Sequence, residues 1–163
     1  KINMLDPYSE ERSNLLKVLF PNIGENVTIL SNFNIDYGYL TFIGDNVFIN
    51  HVAYFMDGGK IFIGSNCFIG PNCGMYTANH PLIAKERNMG LEMAKSIVIE
   101  ENVWIGADVT ILPGVKIGKN SVIGAKSLVT KDIPENVIAM GHPCKVIREI
   151  KEFDTIQKET ETN

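Results

Sequence analysis

Isoleucine-glycine pairs recur seven times along this chain of 163 residues, and most of them fall on a six-residue period. The longest unbroken run places an aliphatic residue at positions 99, 105, 111, 117, 123 and 129. A fixed hexapeptide period is the sequence signature of a parallel β-helix, in which each repeat is a short strand that stacks on its neighbours. Three such hexads make one triangular coil, so the period alone predicts an all-β solenoid.

The composition of each hexad supports this architecture. The first residue is apolar and the fifth is small or aliphatic, as expected for side chains that fill a narrow core. The fourth is Asn, Asp or Gly in most hexads, and these residues tolerate the left-handed backbone of a sharp corner. Lys126 departs from that rule, which indicates a different turn or a functional position. An ordinary β-sandwich with Gly-rich turns is the alternative, but its strands do not hold a strict six-residue phase.

Length and composition limit the kind of protein this can be. The 163 residues predict one domain, 1–163, and a hydrophobic fraction of 45% is enough to fill its core. The net charge of −4 and the lack of a basic block argue against a nucleic-acid partner. No apolar run reaches the length of about 18 residues that indicates a membrane span, and no signal peptide is visible. The three cysteines form no CxxC pair, and Cys67 and Cys73, at the fifth hexad position, are predicted to be structural thiols in a reducing, cytoplasmic environment.

Two segments outside the repeat are predicted to be helices. Residues 9–20 combine a capping Ser9 with acidic residues in the first turn and a leucine stripe, which favours a helix that covers one end of the coils. Residues 145–157 carry apolar side chains at helical spacing. The coils themselves are predicted to run over 23–75 and 97–140.

The repeat stops after Met75 and resumes near Ile97, so residues 76–96 form an inserted loop. Insertions at the corner of a solenoid commonly build its binding face. His80 lies at the root of this loop and is followed by a proline that stiffens it. Of the three histidines, His80 is the one best placed over a cleft, while His51 and His142 are interpreted as bystanders.

Three blocks of sequence resemble the galactoside and maltose O-acetyltransferases of the hexapeptide-repeat family. They are the segments 77–81 (TANHP), 102–107 (NVWIGA) and 121–134 (SVIGAKSLVTKDIP). The tail 143–148 and the segments 36–38 and 49–50 fit as well, so the resemblance spans nearly the whole chain. It implies a left-handed parallel β-helix, to which the patterns described above add a short N-terminal helix, a long inserted loop and a C-terminal helix. It also implies a homotrimer, acetyl-CoA as donor, a small sugar or sugar-like acceptor, and no required metal.

The resemblance further implies a role for individual residues. His80 matches the family's general base, which suits a side chain that ionises near neutrality and can take the proton of an attacking hydroxyl. Ala107 matches the backbone N–H donor to the oxyanion, Asn50 matches an Asn near the histidine and the substrate, and Glu92 is a candidate to orient the imidazole. The other expected cofactor contacts are Trp104, Ala125, Thr130, Lys131, Lys145 and Arg148; the other expected acceptor contacts are Asp36, Asp57 and Met93.

The acceptor is left open by departures from the family pattern. Asp36 replaces a Ser that contacts the acceptor in the galactoside enzymes, and Gly58 replaces an Asp. An antibiotic or polysaccharide O-acetyltransferase on the same scaffold is therefore an alternative. A zinc enzyme of the γ-carbonic anhydrase type would need three histidine ligands at a spacing that His51, His80 and His142 do not have. A non-catalytic scaffold would not need the histidine loop.

Overall fold

The computed structural model of the protein describes residues 1–155, and these wind into a triangular parallel β-helix. Successive coils stack in register, so that Ile23 pairs with Ile43 and Ile43 with Ile63 at a step of 20 residues. The step shortens to 18 residues between Ile99 and Ile117. The longer step from Ile63 to Ile99 contains the inserted loop.

Three parallel sheets form the faces of the prism and are named in the order in which the chain visits them. Sheet A contains β1 (Asn22–Ile23), β4 (Thr41–Ile43), β7 (Ile61–Ile63), β12 (Ile97–Ile99) and β15 (Lys116–Ile117). Sheet B contains β2 (Thr28–Ile29), β5 (Phe48–Ile49), β8 (Phe68–Ile69), β13 (Trp104–Ile105), β16 (Val122–Ile123), β18 (Val137–Gly141) and β19 (Cys144–Glu149). Sheet C contains β3 (Asn34–Ile35), β6 (Tyr54–Met56), β9 (Gly74–Tyr76), β14 (Thr110–Ile111) and β17 (Leu128–Val129).

The first residue of each hexad points into the core, as the period predicts. In sheet B, Ile49, Ile69, Ile105 and Ile123 are stacked in register and almost completely buried. The fifth residues, including Cys67 and Cys73, fill the space beside the corners. One continuous cluster of apolar side chains thus runs along the prism axis and holds the coils together.

The corner between sheets A and B, called the A–B corner, is built from asparagines. Six asparagines there adopt a left-handed backbone with φ between 56° and 60°. Their amides hydrogen-bond along the axis, for example from Asn120 Nδ2 to Asn136 Oδ1 at 2.8 Å. The side-chain pairs in this ladder are Asn26–Asn46, Asn46–Asn66, Asn102–Asn120 and Asn120–Asn136. The asparagines of the hexads therefore provide both the turn and a link between coils.

The predicted N-terminal helix is confirmed as α1 (Glu10–Leu19), which follows a short 3-10 turn at Ile2–Met4. Ser9 Oγ caps the helix by accepting from the N–H of Arg12. Arg12 is itself buried, and its guanidinium donates to the carbonyl oxygen of Ile29 in the first coil at 2.6 Å. The helix thereby covers the open end of the coils and binds one of their free carbonyl groups.

The predicted helix over 145–157 is wrong for the part that the structure describes. Residues Cys144–Glu149 form β19, which pairs antiparallel with β18 and extends sheet B as a hairpin. Positions 156 and 157 lie outside the described residues. Among residues 1–155, no helix has the length and apolar character needed to cross a membrane.

The inserted loop leaves the prism at the C–A corner, between β9 of sheet C and β12 of sheet A. Its root is a two-stranded antiparallel ribbon of β10 (Ala78–Asn79) and β11 (Met93–Ala94). Its outer part carries the short helix α2 (Ala84–Asn88). The Arg87 guanidinium donates to the carbonyl oxygen of Pro81 at 2.9 Å and so ties the helix back to the root of the loop.

Candidate active site

His80 lies at the end of β10, where the loop leaves the C–A corner. Its backbone N–H donates to the side chain of Asn79 at 2.9 Å. Its ring Nδ1 lies 3.3 Å from the carbonyl oxygen of Leu91. A carbonyl oxygen can only accept, so this contact requires the proton to be on Nδ1. The exposed imidazole is therefore held in the tautomer that leaves Nε2 with a free lone pair, as a general base needs.

The surroundings of His80 contain some of the predicted residues. Met93 pairs with Asn79 across the ribbon and is 53% exposed, so its side chain is available beside the histidine. Glu92 is exposed, and within residues 1–155 its carboxylate makes no hydrogen bond or ion pair with the imidazole. The Leu91 carbonyl holds the ring in this structure instead, and backbone carbonyls carry no signal in a sequence.

Asp36 lies at the same C–A corner, two coils nearer the N-terminal end than His80. Its carboxylate is exposed and accepts from the Tyr54 hydroxyl at 3.3 Å. The negative charge of Asp36 is the main cause of a raised pKa for that hydroxyl, followed by desolvation. Tyr54 in turn stacks on Tyr76 with ring centroids 5.7 Å apart. Asp36 thus faces solvent as a hydrogen-bonding group for a polar ligand.

Asp57 does not have the predicted place in the acceptor site. Its side chain is fully buried, and it accepts from the N–H groups of Tyr37 and Gly38 and from the Thr41 hydroxyl, each at 2.9 Å. These contacts use the carboxylate to build the turn after β3. Direct contact with an acceptor is therefore excluded in this conformation, and Asp57 positions the turn that carries Asp36.

The B–C corner, between sheets B and C, carries a second group of predicted residues. Asn50 follows β5, and its Oδ1 accepts from the N–H of His51 at 2.8 Å. Ala107 and Ala125 follow β13 and β16 one coil apart, which corresponds to about 4.8 Å. In the part of the chain that the structure describes, neither alanine N–H has a hydrogen-bond partner. Two open donors therefore line this corner.

Close packing of glycines keeps those donors accessible. A Cβ placed on Gly70 would lie 2.8 Å from the Ala107 nitrogen, and one placed on Gly106 would lie 2.7 Å from the Ala125 nitrogen. Side chains at these glycines would cover the N–H groups and push the coils apart. The glycine of each Ile-Gly pair at this corner thus clears space for a donor that can stabilise an anion.

The remaining predicted cofactor contacts are spread around the C-terminal coils. Trp104 is 57% exposed on the outer face of sheet B, in register with Phe68 and Val122. Lys145 is exposed on β19. Arg148 lies on the same strand but forms an ion pair with Asp154, with Nη2 3.0 Å from Oδ1. This partner raises the pKa of Arg148 and lowers that of Asp154.

Thr130 and Lys131 follow β17 and lie at the C–A corner, on the His80 side of the molecule. The candidate residues are therefore divided between the two edges of sheet C. His80, Asp36, Thr130 and Lys131 lie along one edge; Asn50, Ala107 and Ala125 lie along the other. Four or five extended residues separate the edges, which is about 13–16 Å. Within one chain, this width of sheet C separates His80 from the open N–H donors of Ala107 and Ala125.

The other candidates for chemistry lie away from these edges or are engaged. Cys67 and Cys73 are buried, and each thiol lies 3.1 Å from a backbone carbonyl oxygen. Burial raises the pKa of Cys73 to about 11, so it is a poor nucleophile. Within residues 1–155, no three His, Cys, Asp or Glu side chains converge as a metal site would require.

Comparison with known proteins identifies the family to which this chain is similar. The profile described as "Bacterial transferase hexapeptide (six repeats)" matches residues 96–131, and "Hexapeptide repeat of succinyl-transferase" matches residues 60–77. A galactoside O-acetyltransferase from Lactococcus lactis subsp. lactis is 47% identical over 146 residues, which is 89% of this chain and 70% of the relative.

Solved structures agree with this comparison. A maltose O-acetyltransferase from Clostridium difficile 630 superposes with a TM-score of 0.90 at 45% identity, covering 93% of this chain and 81% of that one. A hexapeptide-repeat acetyltransferase from Vibrio cholerae, solved in complex with acetyl coenzyme A, gives a TM-score of 0.88 at 38% identity, covering 93% and 82%.

These matches define the molecule first as a hexapeptide-repeat transferase, and they confirm the predicted left-handed parallel β-helix. The chain belongs to the hexapeptide-repeat acetyltransferase family that includes the galactoside and maltose O-acetyltransferases.

Proposed function

We propose that the protein transfers the acetyl group of acetyl-CoA to a hydroxyl of a sugar or sugar-like acceptor, with His80 as general base. The main support is the contact of His80 Nδ1 with the Leu91 carbonyl at the root of the inserted loop, because a proton on Nδ1 leaves Nε2 to accept the acceptor's proton. The donor is inferred from the family and from the open N–H groups of Ala107 and Ala125, which suit a thioester carbonyl and its oxyanion.

The reaction proceeds by direct transfer. The acceptor hydroxyl attacks the thioester carbon as its proton passes to Nε2 of His80. The resulting tetrahedral oxyanion accepts a hydrogen bond from the N–H of Ala107, the donor that the family pattern assigns. Collapse of the intermediate breaks the carbon–sulfur bond, and the imidazolium returns the proton to the leaving thiolate. No covalent acyl-enzyme is needed, which agrees with the buried state of Cys67 and Cys73.

We further propose that the active form is a homotrimer with its sites between subunits. The two groups of site residues lie on opposite edges of sheet C, so the C–A corner of one copy would meet the B–C corner of the next. Such a contact joins two different surfaces and closes into a ring, as cyclic oligomers do. Three prisms arranged with sheet C toward a common axis satisfy this geometry. A reducing cytoplasmic location would suit the free thiols.

The proposal is tested by thiol release from acetyl-CoA with a panel of acceptors: glucose, maltose, a galactoside, an amino sugar and a hydroxylated antibiotic. His80→Ala should lower acceptor-dependent release by about 10²-fold or more, the scale of lost general-base catalysis. If the protein acetylates the antibiotic faster than any sugar, the proposed acceptor class becomes hydroxylated antibiotics.

His51→Ala is the matched control, because His51 has the same local geometry. Its N–H is bound by the preceding Asn50, and its Nδ1 lies 3.2 Å from the Ser31 carbonyl oxygen. We expect this variant to keep most of its activity. Equal losses in both variants, or unchanged release in His80→Ala, would remove His80 from its role as base.

A further inference from the structure

Lys126 occupies the B–C corner in a backbone conformation that lysine rarely adopts. Its φ is +59°, in the left-handed region that favours glycine and asparagine. The A–B corner meets the same requirement with asparagine in every coil that has this conformation. At the B–C corner the corresponding residues are Asn32, Val52, Asn72, Asp108 and Lys126. The left-handed backbone does not favour lysine, so a function of the lysine side chain is the simpler explanation for this residue.

The surroundings of Lys126 place that side chain at the end of the row of open donors. Lys126 directly follows Ala125, and its N–H donates to the carbonyl oxygen of Ala107 at 2.8 Å. The residue is exposed. Among residues 1–155 no carboxylate forms an ion pair with its amino group, although Asp108 has the equivalent position one coil earlier. A free cation therefore stands beside the N–H groups of Ala107 and Ala125.

The hairpin of β18 and β19 brings a second basic residue, His142, to the same end of the corner as Lys126. Met140 packs on Gly124, where a Cβ would lie only 2.7 Å from the Met140 Cβ. The N–H of Gly141 donates to Ser127 Oγ at 3.1 Å. The turn that contains His142 is thus held directly over the segment 124–127, and His142 is exposed there. Lys126 and His142 close the C-terminal end of the B–C corner.

The family resemblance assigns two basic residues to this hairpin, of which Lys145 is exposed and Arg148 is already engaged. Both Nη atoms of Arg148 contact the Asp154 carboxylate, which balances the guanidinium charge. Within residues 1–155 neither Lys126 nor Lys145 forms an ion pair, so an anion that reaches this end of the corner would meet these amino groups more readily than Arg148. Phosphate oxygens accept strong hydrogen bonds from such cations.

From these contacts we infer that Lys126, together with His142, binds the phosphates of the CoA donor. The thioester lies at Ala107, and the donor runs along the B–C corner past Ala125 toward the hairpin. The inference rests on the proposed donor and adds a recognition site for its charged end. The pyrophosphate and the 3′-phosphate share this chemistry, so the experiment must separate them.

The test measures CoA binding to the complete protein by calorimetry and the KM for acetyl-CoA in Lys126→Gly. Glycine accepts the left-handed backbone, so the variant should unfold at the same temperature as the native protein or higher. We expect the Kd and KM to rise about tenfold, the effect of one lost hydrogen bond to a charged group, with kcat unchanged. Acetyl-pantetheine, which has no phosphate, should show no such change. Acetyl-3′-dephospho-CoA, which lacks the 3′-phosphate, then shows which phosphate Lys126 binds. If Lys126 binds the pyrophosphate, the loss of affinity from Lys126→Gly and the loss from removing the 3′-phosphate add together. If Lys126 binds the 3′-phosphate, the two losses do not add.

The control variants separate charge at this site from charge elsewhere. Lys126→Arg should restore affinity, and His142→Gln should weaken CoA binding in the same phosphate-dependent way. Lys119→Asn removes a lysine at the A–B corner and should leave the Kd unchanged. An equal loss with acetyl-pantetheine, or an unchanged Kd for CoA in Lys126→Gly, would overturn the inference. Failure of the native protein to bind CoA would instead overturn the proposed donor.

Discussion

The carboxylate of Asp57 is buried and accepts three hydrogen bonds from one turn, from the Tyr37 and Gly38 backbone and from the Thr41 hydroxyl. An amide in its place has an NH₂ group that cannot accept and would face an existing donor. We therefore expect Asp57→Asn to lower the free energy of unfolding by about 2–3 kcal/mol. Urea unfolding at matched protein concentration measures the change, because assembly contributes to apparent stability.

Asp36→Asn provides the comparison for Asp57, since the Asp36 side chain is exposed and, within residues 1–155, its only side-chain hydrogen bond is from the Tyr54 hydroxyl. It should leave the unfolding free energy within about 0.5 kcal/mol and change the KM for the acceptor. An Asp57→Asn variant that is as stable as the native protein but has a raised KM for the acceptor would contradict the positioning role. It would indicate that Asp57 contacts the acceptor directly.

At the scale of single residues, sequence alone found side chains but not their backbone partners. The position of His80 at the root of the inserted loop could be predicted, because this loop interrupts a regular repeat. The Leu91 carbonyl that orients His80 could not, because every residue carries the same group. Asp57 was wrongly predicted to contact the acceptor for a related reason. Sequence shows that Asp36 and Asp57 both lie at the C–A corner, but it does not show that the Asp57 side chain points into the fold while that of Asp36 faces solvent.

At the scale of the corner, Val52 is an exception to the rule that makes the hexads turn. Its φ of +62° is costly for a β-branched residue, yet its side chain is 46% exposed and contributes little burial. Val52→Asn should stabilise the protein by about 1 kcal/mol, because asparagine tolerates the left-handed region. Asn72→Val, at the equivalent position of the next coil, should destabilise it by a similar amount. The unfolding temperatures of the two variants, compared with that of the native protein, measure both effects.

A lower unfolding temperature for Val52→Asn would contradict this expectation. It would indicate that the B–C corner contacts a neighbouring copy in the assembled protein, and that this contact buries the valine methyl groups.

The repeating elements were predictable because their determinants are local. Each hexad specifies its own strand and corner, and the period fixes the register between coils. The C-terminal hairpin was not predictable in this way. Val146, Ile150 and Phe153 have helical spacing, but β19 gains backbone hydrogen bonds by pairing with β18 at the edge of sheet B. That pairing is a property of the folded sheet and leaves no local pattern.

At the scale of the whole molecule, the candidate site residues of one chain are divided between two edges of the prism. A triangular prism has three edges, and the insertion that carries His80 is at the C–A corner, while the tight glycine stack that exposes Ala107 is at the B–C corner. The fold therefore separates the proposed base from the open N–H donors of one chain, and the contact proposed between copies would join them.

Mixed trimers test this division directly. His80→Ala damages the C–A corner, and Asn50→Ala damages the B–C corner. When the two variants carry different tags and trimers holding both tags are purified, each mixed trimer has one interface at which an intact His80 meets an intact Asn50. We expect about one third of the native activity, although each variant alone is at least tenfold less active. Mixed trimers of His80→Ala with His80→Asn carry both lesions at the same corner and should recover nothing. If the first mixture also stays inactive, each site is contained within one chain, and the loop must then reach across sheet C to the groove of its own subunit.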